Sequence, residues 1–334
     1  MDLVERLLSG DRRALARLIT HIENDPASAS EALAILFPHT GRAHLVGVTG
    51  APGTGKSSLV NQMALGLRRR GRTVAVLAID PTSPFSGGAI LGDRIRMRDL
   101  SGDPGVFIRS MASRGSLGGL SRAAGDTIKA LDAAGFDVVL IETVGAGQAE
   151  VEIARYAQTV IVVEAPGMGD DVQAIKAGIL EIADVLVVNK SDDPRARNTV
   201  GVLRQMLQLA HPGDSPRTMQ HHGRIMEIAL PEAQGDDGAD PAWDVPICQT
   251  TATTGEGVEA LLDALGAHRA YLDRSGELGR RERARLAAEL DRLLRDALLE
   301  RLLGDLDGAQ VAGLIDRIAA RELEPHAAVR ALLG

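Results

Sequence analysis

Cysteine is nearly missing from this 334-residue chain; Cys248 is the only one. An intrachain disulfide and a thiolate metal cluster within one chain are therefore excluded, and the compartment reads as cytoplasmic. Aromatics are equally scarce, with one Trp, two Tyr and four Phe. The core must come from Leu, Val, Ile and Ala, and the aromatic platforms on which single-stranded nucleic acids stack are lacking. Nor is there a surplus of positive charge. Thirty-seven Lys and Arg face 45 Asp and Glu, a net charge of −8, which argues against a polyanionic partner. No apolar run approaches the ~18 residues of a spanning helix. The opening M-D-L-V-E-R-L-L-S-G-D-R-R has no apolar leader stretch. Neither nucleic acid nor membrane is expected as a partner.

What is present is an ordinary globular balance, 45% hydrophobic and 25% charged, at a length that suggests about two domains of ~150 residues. Residues 1–40 read as an N-terminal extension of two short helices. Leu3, Leu7, Leu8, Leu15, Leu18 and Ile19 lie near helical spacing, and Asn24-Asp25-Pro26 breaks the pattern. From residue 44 continuously apolar runs predict buried parallel strands: His44–Thr49, Thr73–Asp80, Asp137–Glu142, Thr159–Glu164, Asp184–Asn189 and Asp244–Thr250. Helical patterns near 56–70, 118–134, 171–183, 195–210 and 257–271 fall between or after them. The alternation predicts an α/β fold with a doubly wound, mostly parallel sheet over 41–272, interrupted by a polar insertion at 211–243. Residues 273–334 read as a helical arm with an excess of leucine on one stripe.

Gly50-Ala51-Pro52-Gly53-Thr54-Gly55-Lys56-Ser57 matches G-x-x-x-x-G-K-[ST] between a predicted strand and a helix, the context a phosphate-binding loop requires. Its glycines permit positive φ, its backbone N–H groups close on phosphate, and the helix N-terminus adds a favourable dipole. Lys56 is expected at the β- and γ-phosphates, Ser57 at Mg²⁺ and Ser58 among the nucleotide-binding residues.

Asn189-Lys190-Ser191-Asp192 ends a predicted strand and matches N-K-x-D, whose carboxylate accepts two hydrogen bonds from guanine but finds no such donors on adenine. Alone, this tetrapeptide also marks a polar strand-to-helix turn; after a phosphate loop and a buried strand, guanine reading is preferred. Thr251-Ala252 fits a loop supporting the base from its other side, and fits a plain turn nearly as well. Glu142-Thr143-Val144-Gly145 stands where such proteins place a metal-organising carboxylate and a glycine sensing the γ-phosphate. Asp80 and Asp93 are further candidates for the metal, with helix capping the competing reading for Asp93. Ala146 occupies the position of the water-orienting glutamine in Ras-like enzymes, and Gln148 comes later, so slow intrinsic hydrolysis raised by a partner is expected.

Together G-V-T-G-A-P-G-T-G-K-S, A-I-D-P-T-S-P-F-S-G-G-A-I-L-G-D-R-I-R-M, I-E-T-V-G-A-G-Q-A-E and P-G-M-G-D-D-V-Q-A-I-K-A-G-I-L-E-I-A-D resemble the MeaB/ArgK family, the GTPases associated with methylmalonyl-CoA mutase. The resemblance runs from about 44 to 192 and more loosely to about 270. It implies a GTPase of the SIMIBI type using GTP/GDP and Mg²⁺, catalytic roles for Lys56, Asp80, Glu142 and Gly145, and a homodimer joined through the C-terminal arm. It further implies a chaperone of an adenosylcobalamin-dependent acyl-CoA mutase, gating cofactor loading and release. A third switch of the family falls on Asp170, Asp171, Gln173 and Lys176; without the resemblance these read as a capped helix start. Glu164 departs from the family's apolar strand, and D-x-H-x-x-G, a cobalamin-binding motif, is absent, so the mutase would hold the cofactor. A nickel-delivery maturation GTPase is opposed by the single cysteine, and a P-loop small-molecule kinase by N-K-S-D. His221-His222 has no further ligands in its flanks and reads as a solvated loop.

Overall fold

Among the described residues seven strands build one sheet in which every pairing is parallel, in the order β3-β2-β4-β1-β5-β6-β7. They are β1 (His44–Thr49), β2 (Val74–Asp80), β3 (Val106–Ala112), β4 (Val138–Thr143), β5 (Thr159–Glu164), β6 (Val185–Asn189) and β7 (Ile247–Thr250). The computed structural model describes residues 2–80, 97–100, 102–112, 122–143, 152–167, 180–210, 242–305 and 308–333.

Both faces of the sheet are covered, which is why its strands are apolar without alternation. On one face α4 (Lys56–Arg69) and α7 (Val258–Arg274) bury Leu59, Val60, Met63, Leu261 and Leu265 against Val46, Val48, Leu140, Ile161 and Val187. On the other, α5 (Arg122–Ala133) and α6 (Ala196–Ala210) pack with the N-terminal helices over Leu45, Leu77, Val139, Val162 and Leu186. These N-terminal helices are three rather than two: α1 (Leu3–Leu8), α2 (Arg12–Asn24) and α3 (Pro26–Leu36). The Asn-Asp-Pro step that reads as a break is a restart. The Asp25 carboxylate accepts from the Ser28 N–H, and Pro26 takes the first helical position, where a missing N–H costs nothing. Leu15, Leu18, Ile19 and Ile22 sink into the same core as the sheet. Three N–H groups, of Gly41, Arg42 and Ala43, then donate to the Asp132 carboxylate and fix the entry into β1.

Strand β3 is an element that no apolar run announced. Residues 1–278 form one compact unit and 279–334 a second. The C-terminal residues contain α8 (Glu277–Asp305), α9 (Gly308–Ala319) and α10 (Pro325–Leu333). On α8, Leu290, Leu294 and Leu298 recur every fourth residue and each stays more than half exposed. Among the described residues no helix is long and apolar enough to cross a membrane.

Candidate nucleotide site

The carboxyl ends of β1, β4, β6 and β7 bring the sequence motifs together. Residues 50–55 leave β1 and α4 begins at Lys56, with Gly55 in the left-handed region (φ 91°) as its cap. A Cβ on Gly55 would lie 2.4 Å from Asn189 Nδ2, and one on Gly50 (φ 136°) 2.1 Å from the Val163 carbonyl oxygen. Both positions therefore require glycine on two grounds, backbone conformation and space. Lys56 is buried, and its ammonium donates to the carbonyls of Gly50 at 2.7 Å and Ala51 at 2.9 Å. Ser57 donates its hydroxyl to Glu142 Oε1 at 2.5 Å, joining the start of α4 to the end of β4 in a buried pair 85 residues apart. Thr143 beside it donates to the Thr49 hydroxyl.

A second set of contacts stitches three loops into one body. Asn189 Nδ2 donates to Thr54 O at 2.8 Å, while its Oδ1 accepts from Ala252 N at 3.0 Å and Thr250 Oγ1 at 3.2 Å. Lys190, in the left-handed region at φ 56°, lays its ammonium on Gly53 O at 2.8 Å. The phosphate loop, the N-K-S-D turn and the Thr251-Ala252 turn are thus fixed to one another. Asp193 closes the N-K-S-D turn: its N–H donates to Lys190 O, and its carboxylate takes three hydrogen bonds from Arg195. The side-chain bond to Arg195 holds the Asp193 carboxyl at about 2. Ser191, Asp192, Arg197, Gln249, Glu256 and Gly257 line a cleft of about 700 Å³ beside these turns, and no residue of 50–58 lines it.

The structure therefore joins Gly50 to Ser58, Glu142, Asn189, Lys190, Asp192, Thr251 and Ala252 at one end of the sheet. Asp80 ends β2 at the same end; its backbone is described and its side chain is not. Asp93, Gly145, Asp170, Asp171, Gln173 and Lys176 lie outside the described residues, as do Gln148, His221, His222 and all but the last two residues of the insertion. Glu164 ends β5, buried and in register with Val188. Among the described residues no three of His, Cys, Asp and Glu gather as a metal cluster. Burial pushes the Cys248 thiol up, away from reactivity.

Sequence reasoning missed a polar chain at the opposite end of the strands. His44 Nε2 lies 2.7 Å from Thr159 Oγ1, which lies 2.8 Å from His268 Nδ1, and His268 Nε2 is 3.4 Å from Asp184 Oδ1. Asp184 also accepts from Val160 N, and Trp243 donates its indole N–H to Asp184 O while packing on His268. Burial first, then the Arg269 charge and His268, pushes the His44 imidazole down to about 3. These residues come from five separate segments, so no local motif could reveal them. Thr159 and His268 are fully buried, which leaves the chain a structural role.

The chain matches the family described as Methylmalonyl Co-A mutase-associated GTPase MeaB over residues 15–307. It belongs to the MeaB family of GTPases. A Pyrococcus abyssi protein with a provisional GTPase name is 43% identical over 332 residues, covering 99% of this chain and 95% of that protein. The GTPase ArgK of Escherichia coli K12 is 38% identical over 260 residues, 77% of each chain. Among solved structures, one titled LAO/AO transport system kinase superimposes with a TM-score of 0.68 at 26% identity, covering 99% of this chain and 95% of that one. The MeaB assignment accounts for the parallel sheet and the phosphate loop, and identifies the chain as a P-loop GTPase.

Proposed function

We propose that this MeaB-family GTPase is a cytoplasmic, homodimeric chaperone of an adenosylcobalamin-dependent acyl-CoA mutase, and that its nucleotide cycle gates loading of intact cofactor and release of damaged cofactor. The observation that carries the reading is the match to the mutase-associated family across residues 15–307. In this reading Lys56 and the N–H groups of 50–58, Pro52 apart, bind the phosphates. Asn189 fixes the loops and Asp192 accepts from guanine N1–H and N2–H₂, while Lys190, Thr251 and Ala252 flank the base.

The donor set fits Mg²⁺. Ser57 supplies a hydroxyl and Glu142 a carboxylate, hard oxygen ligands brought together by their hydrogen bond. Asp80 and Asp93 complete the proposed set. When bound, the cation offsets phosphate charge during transfer to water. Gly145 is proposed to sense the γ-phosphate, and Asp170, Asp171, Gln173 and Lys176 to carry the nucleotide state to the mutase. The exposed Leu290, Leu294 and Leu298 stripe on α8 supports the dimer, since a leucine row of this spacing is what a partner helix buries.

The test mixes the purified chain with the adenosylcobalamin-dependent mutase of the same host and measures GTP hydrolysis, with ATP as control. The reading expects a stable complex and a stimulation of hydrolysis confined to GTP. Absence of both with every such mutase of the host contradicts the partner assignment, and a monomer by light scattering contradicts the dimer.

A further inference from the structure

The Asp192 carboxylate is exposed at the cleft, so its position is set by the chain on either side. On one side the turn is held by Asn189, and after it by the Asp193 N–H on Lys190 O. A further anchor is Ser191. The left-handed Lys190 swings Ser191 back toward the end of β7. There its N–H donates to Thr250 O at 3.0 Å, and its hydroxyl shares a 3.0 Å hydrogen bond with Thr251 Oγ1. Thr251 is itself rigid: buried, its N–H on Glu256 O, and its carbonyl accepting from Thr254 N and Gly255 N. The hydroxyl pair therefore ties the residue next to Asp192 to the Thr251-Ala252 turn.

We propose that Ser191, through Thr251, is a positioning residue for guanine specificity: the shared hydroxyl bond sets the spacing between Asp192 and the Thr251-Ala252 turn. The inference rests on the reading of Asp192 as the guanine acceptor. A bidentate contact to N1–H and N2–H₂ depends on where both carboxylate oxygens sit, while a single contact to N1–H tolerates displacement. Loosening this spacing therefore costs guanine more than hypoxanthine, which lacks the 2-amino group.

The experiment measures binding of fluorescently labelled GDP, IDP and ADP to the full chain, its Ser191→Ala and Ser191→Thr variants, with thermal unfolding of each in the absence of nucleotide. Removing the hydroxyl is expected to weaken GDP about five- to tenfold and IDP less than about twofold, the scale of one lost hydrogen bond to a buried partner. Ser191→Thr restores the GDP-over-IDP ratio, because it keeps the hydroxyl. An unchanged ratio in Ser191→Ala, or equal weakening of GDP and IDP, overturns the proposal while leaving Asp192 its role. A starting protein that binds ADP as tightly as GDP overturns the guanine reading itself.

Discussion

The two ends of the sheet treat polar residues in opposite ways. At the amino ends of β1 and β5, and just before β6, His44, Thr159, His268 and Asp184 pair with one another inside the protein, with Trp243 laid across them. At the carboxyl ends, Lys56, Ser57, Asn189 and Ser191 hold loops, and the groups left facing the cleft, such as Asp192, are not spent on the fold. The same strands thus carry a closed network that holds elements together and an open one that can meet a ligand. Partners distinguish the two: at the amino ends the polar groups bond one another, whereas at the carboxyl ends Asp192 stands exposed at the rim of a cleft.

Damage at each end should separate these roles. The largest effect is expected from Lys56→Ala, which removes the ammonium from the phosphate loop. GTP turnover should fall at least about a hundredfold, while thermal unfolding without nucleotide shifts only slightly. Asp184→Ala should do the reverse. It strips Val160 N of its acceptor and His268 of its carboxylate neighbour, and should lower stability by about 3 kcal/mol, read by denaturant unfolding, with turnover per folded molecule retained. A pH-dependent effect follows from His44. Its imidazole stays neutral in the folded state down to about 3, whereas the unfolded chain binds the proton near its ordinary value of about 6.5. The unfolded state then holds more protons between these values. Stability contributed by the neutral imidazole is complete above pH 6.5 and declines as pH falls toward 3, by at most about 1.4 kcal/mol per pH unit. Unfolding titrations of the unmodified chain and His44→Gln should diverge in that window and run parallel above it.

Legibility in the sequence follows the same division. β1, β2, β4, β5 and β6 were readable because burial on both faces demands uninterrupted apolar runs. β3 was not, because it is an edge strand whose Arg109 pairs with Glu23 of α2, so a charged residue is accommodated in mid-strand. Three N-terminal helices read as two because an aspartate cap and a proline start look, in one dimension, like a break. The phosphate loop and N-K-S-D are contiguous and were therefore visible. The Ser57–Glu142 pair spans 85 residues and the Ser191–Thr251 pair 60, and only folding brings either together. The His44 to Asp184 chain draws on residues spread from 44 to 268 and left no local pattern at all.

If the carboxyl end of the sheet is a GTP-specific site, its chemistry is separable from the network at the other end. The most direct test is turnover of GTP and ATP by the unmodified chain, Lys56→Ala and Asp184→Ala, each normalised to its folded fraction. Turnover of GTP over ATP is expected in the unmodified chain, with its loss in Lys56→Ala and its retention in Asp184→Ala. Equal turnover of ATP, or loss of activity per folded molecule in Asp184→Ala as deep as in Lys56→Ala, would contradict it.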